Sequence, residues 1–248
     1  MFFIYYDIVY ILLGIIVLPG IIFSIVVQAR FKSACDKYEK VFAMQNITGH
    51  EMAEEVLKAY GINNVKVVQI EEGDSYSDYY DSKRKVLALS KNVYSSSSIT
   101  ALGVAAHEVG HALQDKENYS LLRLRSVFGF LSRFGSVLLI PMIILGLIFT
   151  FIPTGSETVA NIFFIVGFSL FGFSVLFALV TLPVEINASK RTEQILVTTG
   201  LLNEEEFEGV KTVLHAAAMT YVAALISSIL NFARILIYFL IRTKNARD

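Results

Sequence analysis

The chain has 248 residues, of which 54% are hydrophobic and 17% charged, with a formal net charge of −1. So apolar and charge-poor a composition excludes an ordinary soluble domain, and near-neutrality gives no basis for binding nucleic acid. One cysteine, Cys35, excludes an internal disulfide and a CxxC metal site.

Crossing a bilayer takes about 20 apolar residues, and four stretches qualify, at about 4–27, 136–152, 162–182 and 220–241. The first lacks a basic leading segment and a small-x-small cleavage site, so it reads as a retained anchor rather than a secretory signal. Asp7 within it sits beside Tyr5, Tyr6 and Tyr10, as in an interfacial aromatic belt. Arg30, Lys32, Lys37 and Lys40 follow this span, Arg123, Arg125 and Arg133 precede the second, and Lys190 and Arg191 follow the third. By the positive-inside rule, about 30–135 and 183–219 face the cytoplasm. The C-terminal Arg242, Lys244 and Arg247 run against simple alternation, and Asn231 and Arg234 favour burial of the last span against protein.

Between the first two spans, Thr48 and Glu51 have the spacing of a capping box, predicting a short amphipathic helix that ends near Tyr60 and Gly61. Val65–Ile70 and Lys85–Leu89 are rich in β-branched or apolar residues and read as strands. The acidic, tyrosine-rich segment between them, with Asp74, Tyr76, Asp78, Tyr79, Tyr80 and Asp81, reads as a connection. Ser95–Ser98 offers helix-starting hydroxyls, and a helix follows from Ile99 to Gln114. Its many small residues, from Ala101 to Ala112, make it a narrow rod that neighbours can approach. A strand followed by such a helix suits a site in which an extended peptide lies along a sheet edge.

That helix carries His107-Glu108-Val109-Gly110-His111. Residues four apart share a helix face, so His107 and His111 can hold one metal ion with Glu108 beside it. Two histidines plus a third ligand, with one position left open, is the arrangement of catalytic zinc. Candidates for the third ligand are Glu185, Glu193, His50 and His215. Glu185 follows the third span directly, where an unpaired carboxylate near hydrocarbon is expensive, and a metal ion would satisfy it. Beyond the third span, Arg191–Thr199 reads as helical with Gly200 as its stop. Asn203 and Glu206 mark a new start, where Glu204, Glu205 and Glu206 suit the positive helix end. His215 and Tyr221 begin the last helical run and are candidate donors to a developing oxyanion.

The run Ala-Ala-His-Glu-Val-Gly-His-Ala-Leu-Gln at 105–114, with Leu-Pro-Val-Glu-Ile-Asn-Ala-Ser-Lys-Arg at 182–191, resembles the membrane-bound neutral zinc metallopeptidases of the YugP type. Asp-Tyr-Tyr-Asp at 78–81 and Lys-Val-Leu-Ala-Leu-Ser at 85–90 extend the likeness. More distantly the chain is similar to the HtpX and CAAX-processing proteases, whose third ligand is the Glu of a Glu-x-x-Ala-Asp segment. That likeness implies Glu185 as third ligand, but the fifth position is Ser189 instead of Asp, removing the carboxylate that would orient a ligating imidazole. Tyr79 also stands where the family tends to have His.

The resulting expectation is a mostly α membrane protein with about four transmembrane helices and a small α+β, zincin-like cytoplasmic portion carrying the HExxH helix. All of 1–248 is read as one membrane-embedded metallopeptidase domain. It would be a zinc endopeptidase of the cell membrane, acting on protein or peptide substrates, with His107, His111 and Glu185 as ligands and Glu108 as general base. A non-catalytic membrane scaffold that keeps a structural zinc site is the alternative, encouraged by Ser189. A small transporter using Asp7 and Arg234 is weaker, because the spans show no paired halves. Sequence sets no oligomeric state. Purified protein should carry about one zinc per chain, lost in His107→Ala when measured by metal analysis; zinc retained in that variant would count against the assignment.

Overall fold

A computed structural model describes residues 11–70, 78–150, 152 and 157–245, which leaves Asp7 and its tyrosines, Asp74 and Tyr76 outside the described residues. In chain order its elements are a 3-10 turn at Gly14–Val17, α1 (Leu18–Tyr38), α2 (Gly49–Ala59), β1 (Lys66–Gln69), β2 (Tyr79–Asp81), β3 (Val86–Leu89), α3 (Lys91–Tyr94), α4 (Ile99–Lys116), α5 (Ser120–Thr150), α6 (Glu157–Thr199) and α7 (Glu204–Asn245). The chain divides into two compact units, one of Met1–Val26, Arg123–Leu182 and Tyr221–Asp248, the other of Val27–Leu122 and Pro183–Thr220.

The first unit holds the apolar parts of four helices long enough to cross a membrane, within Ile11–Tyr38, Ser120–Thr150, Thr158–Thr199 and Glu204–Tyr238. Large side chains such as Ile22, Phe130, Val137, Ile140 and Ile165 are exposed on them, as lipid-facing residues must be. Inside the unit, the hydroxyls of Ser24 and Ser227 lie 3.0 Å apart, those of Ser132 and Ser174 3.1 Å, and Phe168 stacks on Phe232. Small residues and hydroxyl pairs of this kind are how helices associate in lipid.

The second unit is built around a three-stranded sheet of order β1-β3-β2, with β1 parallel and β2 antiparallel to the central β3. Its core joins Met52 and Val56 of α2, Leu87 and Leu89 of β3, Ile99, Leu102 and Val109 of α4, Ile195 and Leu196 of α6, and Val210 of α7. Local signals set the helix ends as the sequence implies. Thr48 and Glu51 close a complete capping box on α2, and the Ser98 side chain accepts from the Ala101 N–H at the start of α4. Asn203 and Glu206 exchange the same pair of bonds at the start of α7, and Glu206 also accepts from the Met44 N–H at 2.7 Å.

Three features depart from the sequence reading. Tyr79–Asp81 is not a connection but strand β2, because its backbone completes the free edge of β3 and tyrosine fits a half-buried pleated surface. Lys91–Tyr94 forms the short helix α3. The third span does not give way to a separate helix, since α6 runs unbroken from Glu157 to Thr199 through Pro183. A proline inside a helix removes one backbone hydrogen bond, and packing can outweigh that loss. Here Val184, Ala188, Thr192, Ile195 and Leu196 are all buried just beyond it. Gly200 then ends the helix with φ of +62°, a conformation that side chains with a Cβ resist.

Close approach of α4 and α6 depends on Gly110. A Cβ added there would lie 2.8 Å from the Ala188 carbonyl oxygen and 3.1 Å from Thr192 Oγ1. Because the nearest of these atoms belongs to helix backbone, Gly110→Ala should separate the two helices and destabilise the unit by about 1–3 kcal/mol. Chemical denaturation of detergent-solubilised protein, read together with zinc content, checks this; wild-type stability and zinc content in the variant would contradict it.

Candidate metal centre

Helix α4 presents His107 and His111 one turn apart, and α6 presents Glu185 two residues after Pro183. Glu185 Oε2 lies 3.0 Å from His107 Nε2 and 3.6 Å from His111 Nε2. All three ligand atoms fall within 4.8 Å of one another, the one such group of histidine, cysteine or acidic residues among the described residues. The two imidazoles meet edge to face with centroids 4.9 Å apart.

These residues fit a zinc ion. Ligands about 2.1 Å from a tetrahedral centre lie about 3.4 Å from each other, and the 3.0 and 3.6 Å separations bracket that value. Two imidazoles and one carboxylate are also a donor set that zinc accepts while keeping a fourth position open. Burial adds to the argument, since Glu185 is only 1% exposed and His111 6%. A carboxylate at such depth needs positive charge or hydrogen bonds around it. Glu108, next to His107 along α4, is itself buried.

The other residues singled out by sequence lie elsewhere. His50 stacks on Tyr94 with centroids 4.3 Å apart, and its Nε2 is 3.7 Å from Glu54. Glu193 is half-buried on α6 and His215 exposed on α7, both outside the three-residue group. Tyr221 is the first residue of α7 that belongs to the membrane unit.

Sequence reasoning gave no role to Gln114, which is fully buried. His111 Nδ1 is 3.0 Å from Gln114 Oε1, while Gln114 Nε2 donates to the Val184 carbonyl at 2.8 Å and to Asn187 Oδ1 at 2.9 Å. Asn187 Oδ1 also accepts from Arg191 Nε at 2.8 Å, and Arg191 Nη2 reaches Glu117 Oε2 at 2.7 Å. Its hydrogen bond with Arg191 holds the Glu117 carboxyl below the usual glutamate range, so the pair is ionised at neutral pH. The available signal was spacing, because a residue three beyond a helical histidine shares its face. At the same end of α4, Asp115 accepts from Tyr80 Oη at 2.7 Å and pairs with Lys85, tying β2 and β3 to the helix. Burial and that carboxylate push the Tyr80 phenol well up, which keeps it a donor.

A model of the family described as "Putative neutral zinc metallopeptidase" matches residues 13–240. The chain belongs to this family. A member from Bacillus subtilis (strain 168), named "Putative membrane protease YugP", is 40% identical over 221 residues, covering 89% of this chain and 92% of that protein. No solved structure matches the chain. Neutral zinc metallopeptidase membership, a relative named as a membrane protease and four helices of membrane-spanning length together support a membrane protease.

Proposed function

We propose that this chain is a zinc-dependent membrane endopeptidase in which His107, His111 and Glu185 hold one metal ion and Glu108 is the general base. The observation that carries this reading is the convergence of two imidazole Nε2 atoms and one carboxylate from two separate helices. Zinc, when bound, supplies a Lewis acid for the scissile carbonyl and brings the pKa of a coordinated water from 15.7 to about 7.

The remaining chemistry belongs to the chain. Glu108 takes a proton from the attacking water and returns it to the leaving amine, which its place beside His107 on the same buried helix supports. Burial of His111 and Glu185 keeps bulk solvent from the donor atoms and strengthens electrostatic interactions at the reacting centre. His215 and Tyr221 stand as the candidate oxyanion donors. Substrate is a protein or peptide, entering in extended form along an edge of the sheet, β1 or β2, as peptides do in strand addition. The small α+β part is zincin-like in this reading and lies on the cytoplasmic face of the cell membrane. Supporting that side are Arg30, Lys32, Lys37 and Lys40 after the first span and Arg123 and Arg125 before the second.

Glu108→Gln should keep its zinc and lose about 10²–10⁴-fold in peptide hydrolysis. Wild-type cleavage should stop with a chelator and return with added zinc. Cleavage by Glu108→Gln at the wild-type rate would overturn the role of the base, and cleavage indifferent to chelation would overturn the metallopeptidase reading.

A further inference from the structure

We infer that Gln114 is the positioning residue of the metal centre, using its amide oxygen to fix His111 as the Nδ1–H tautomer so that Nε2 is the metal donor. The inference rests on the proposed metal site and extends it to residues that hold no metal themselves. Ser189 offers no carboxylate, and at His111 a neutral amide provides the acceptor.

Two groups in the network can play one role only. A backbone carbonyl accepts and never donates, so the Gln114 atom 2.8 Å from the Val184 oxygen must be the nitrogen. A guanidinium donates and never accepts, so the Asn187 atom 2.8 Å from Arg191 Nε must be the oxygen. That oxygen faces Gln114 as well, and so receives the amide's second N–H at 2.9 Å. Both Gln114 donors are thereby committed, and its oxygen is left facing His111 Nδ1 at 3.0 Å. An amide oxygen only accepts, so His111 Nδ1 must carry the proton and Nε2 is left with its lone pair. Flipping either amide would set two acceptors, or two donors, against each other in a buried place.

The ion pair at the far end gives the chain its anchor. Arg191 is held by Glu117, just beyond the C-terminus of α4, and Asn187 and Arg191 stand one turn apart on α6. The network therefore fastens the two ligand-bearing helices together while it orients one ligand. Hydrogen bonds from a ligating histidine to a second group typically change metal affinity by about 10–100-fold when removed. A neutral amide accepts the same proton as a carboxylate but adds no negative charge to the site, leaving the metal ion the stronger electrophile.

The test uses the full-length chain in detergent, with zinc affinity measured by chelator competition and ligand geometry by the visible absorption of the cobalt-substituted protein. Gln114→Met keeps the side-chain volume and removes the acceptor; zinc binding should weaken about 10–100-fold, with altered cobalt bands. Asn187→Asp keeps the oxygen that Gln114 and Arg191 use and should bind within a few-fold of wild type, whereas Asn187→Leu should weaken binding. Lost packing alone would not distinguish these two substitutions by their acceptor atom. Because the chain has four histidines, ¹⁵N-histidine labelling of wild type is sparse enough to read the His111 tautomer directly, even if a variant fails to fold. A protonated Nδ1 in the zinc-loaded protein is expected. His111 bound to metal through Nδ1, or Gln114→Met matching wild type in affinity and cobalt spectrum, overturns this inference alone. A wild-type chain that holds no zinc overturns the metal site and the inference with it.

Discussion

A carboxylate with 1% of its surface exposed, facing two imidazoles, is the interaction around which the second unit is organised. Burying an ionised Glu185 is costly unless a cation or a full set of hydrogen bonds compensates, and the cost grows with distance from water. The surrounding design follows from that need. Gly110 removes the Cβ that would hold α6 away from α4, small residues line the approach, and Thr192 bonds back to the Ala106 carbonyl at 3.3 Å. Helix α6 tolerates Pro183 two residues before Glu185 because the turns that follow are packed into the core. Geometry at the site is thus set by helix packing, which is stiffer than any loop could provide.

Burying a polar centre among helices has a second consequence. The residues around it are hydrogen-bonded into a relay, Glu117 to Arg191 to Asn187 to Gln114 to His111, that ends in a charged pair open to solvent at Glu117. Each link sets a donor against an acceptor. Such a network is worth most when every member is satisfied, since a half-satisfied buried amide costs more than an apolar side chain. At His111, therefore, the acceptor comes from α4 itself and not from the position four residues beyond Glu185, where Ser189 stands.

Much of this was legible in the sequence, for identifiable reasons. The histidine pair, the two capping boxes, the glycine stop at Gly200 and the four long apolar runs are local patterns, visible in spacing and composition alone. Glu185 could be picked out because an acid at the end of an apolar span demands a partner. What stayed hidden depended on tertiary pairing. Tyr79–Asp81 carries too much polarity to announce a strand, and becomes one only by pairing with β3. The continuity of α6 through Pro183 reflects packing that outweighs a local breaker, and Gln114 gains its role only from the Val184 carbonyl and Asn187, some seventy residues away.

The most direct test of the central claim is zinc K-edge X-ray absorption of the purified, zinc-loaded chain. Two imidazole nitrogens with oxygen ligands in the first shell, at about 2.0–2.2 Å, are the predicted result. A sulfur scatterer at about 2.3 Å, or a shell with a single imidazole, would contradict it.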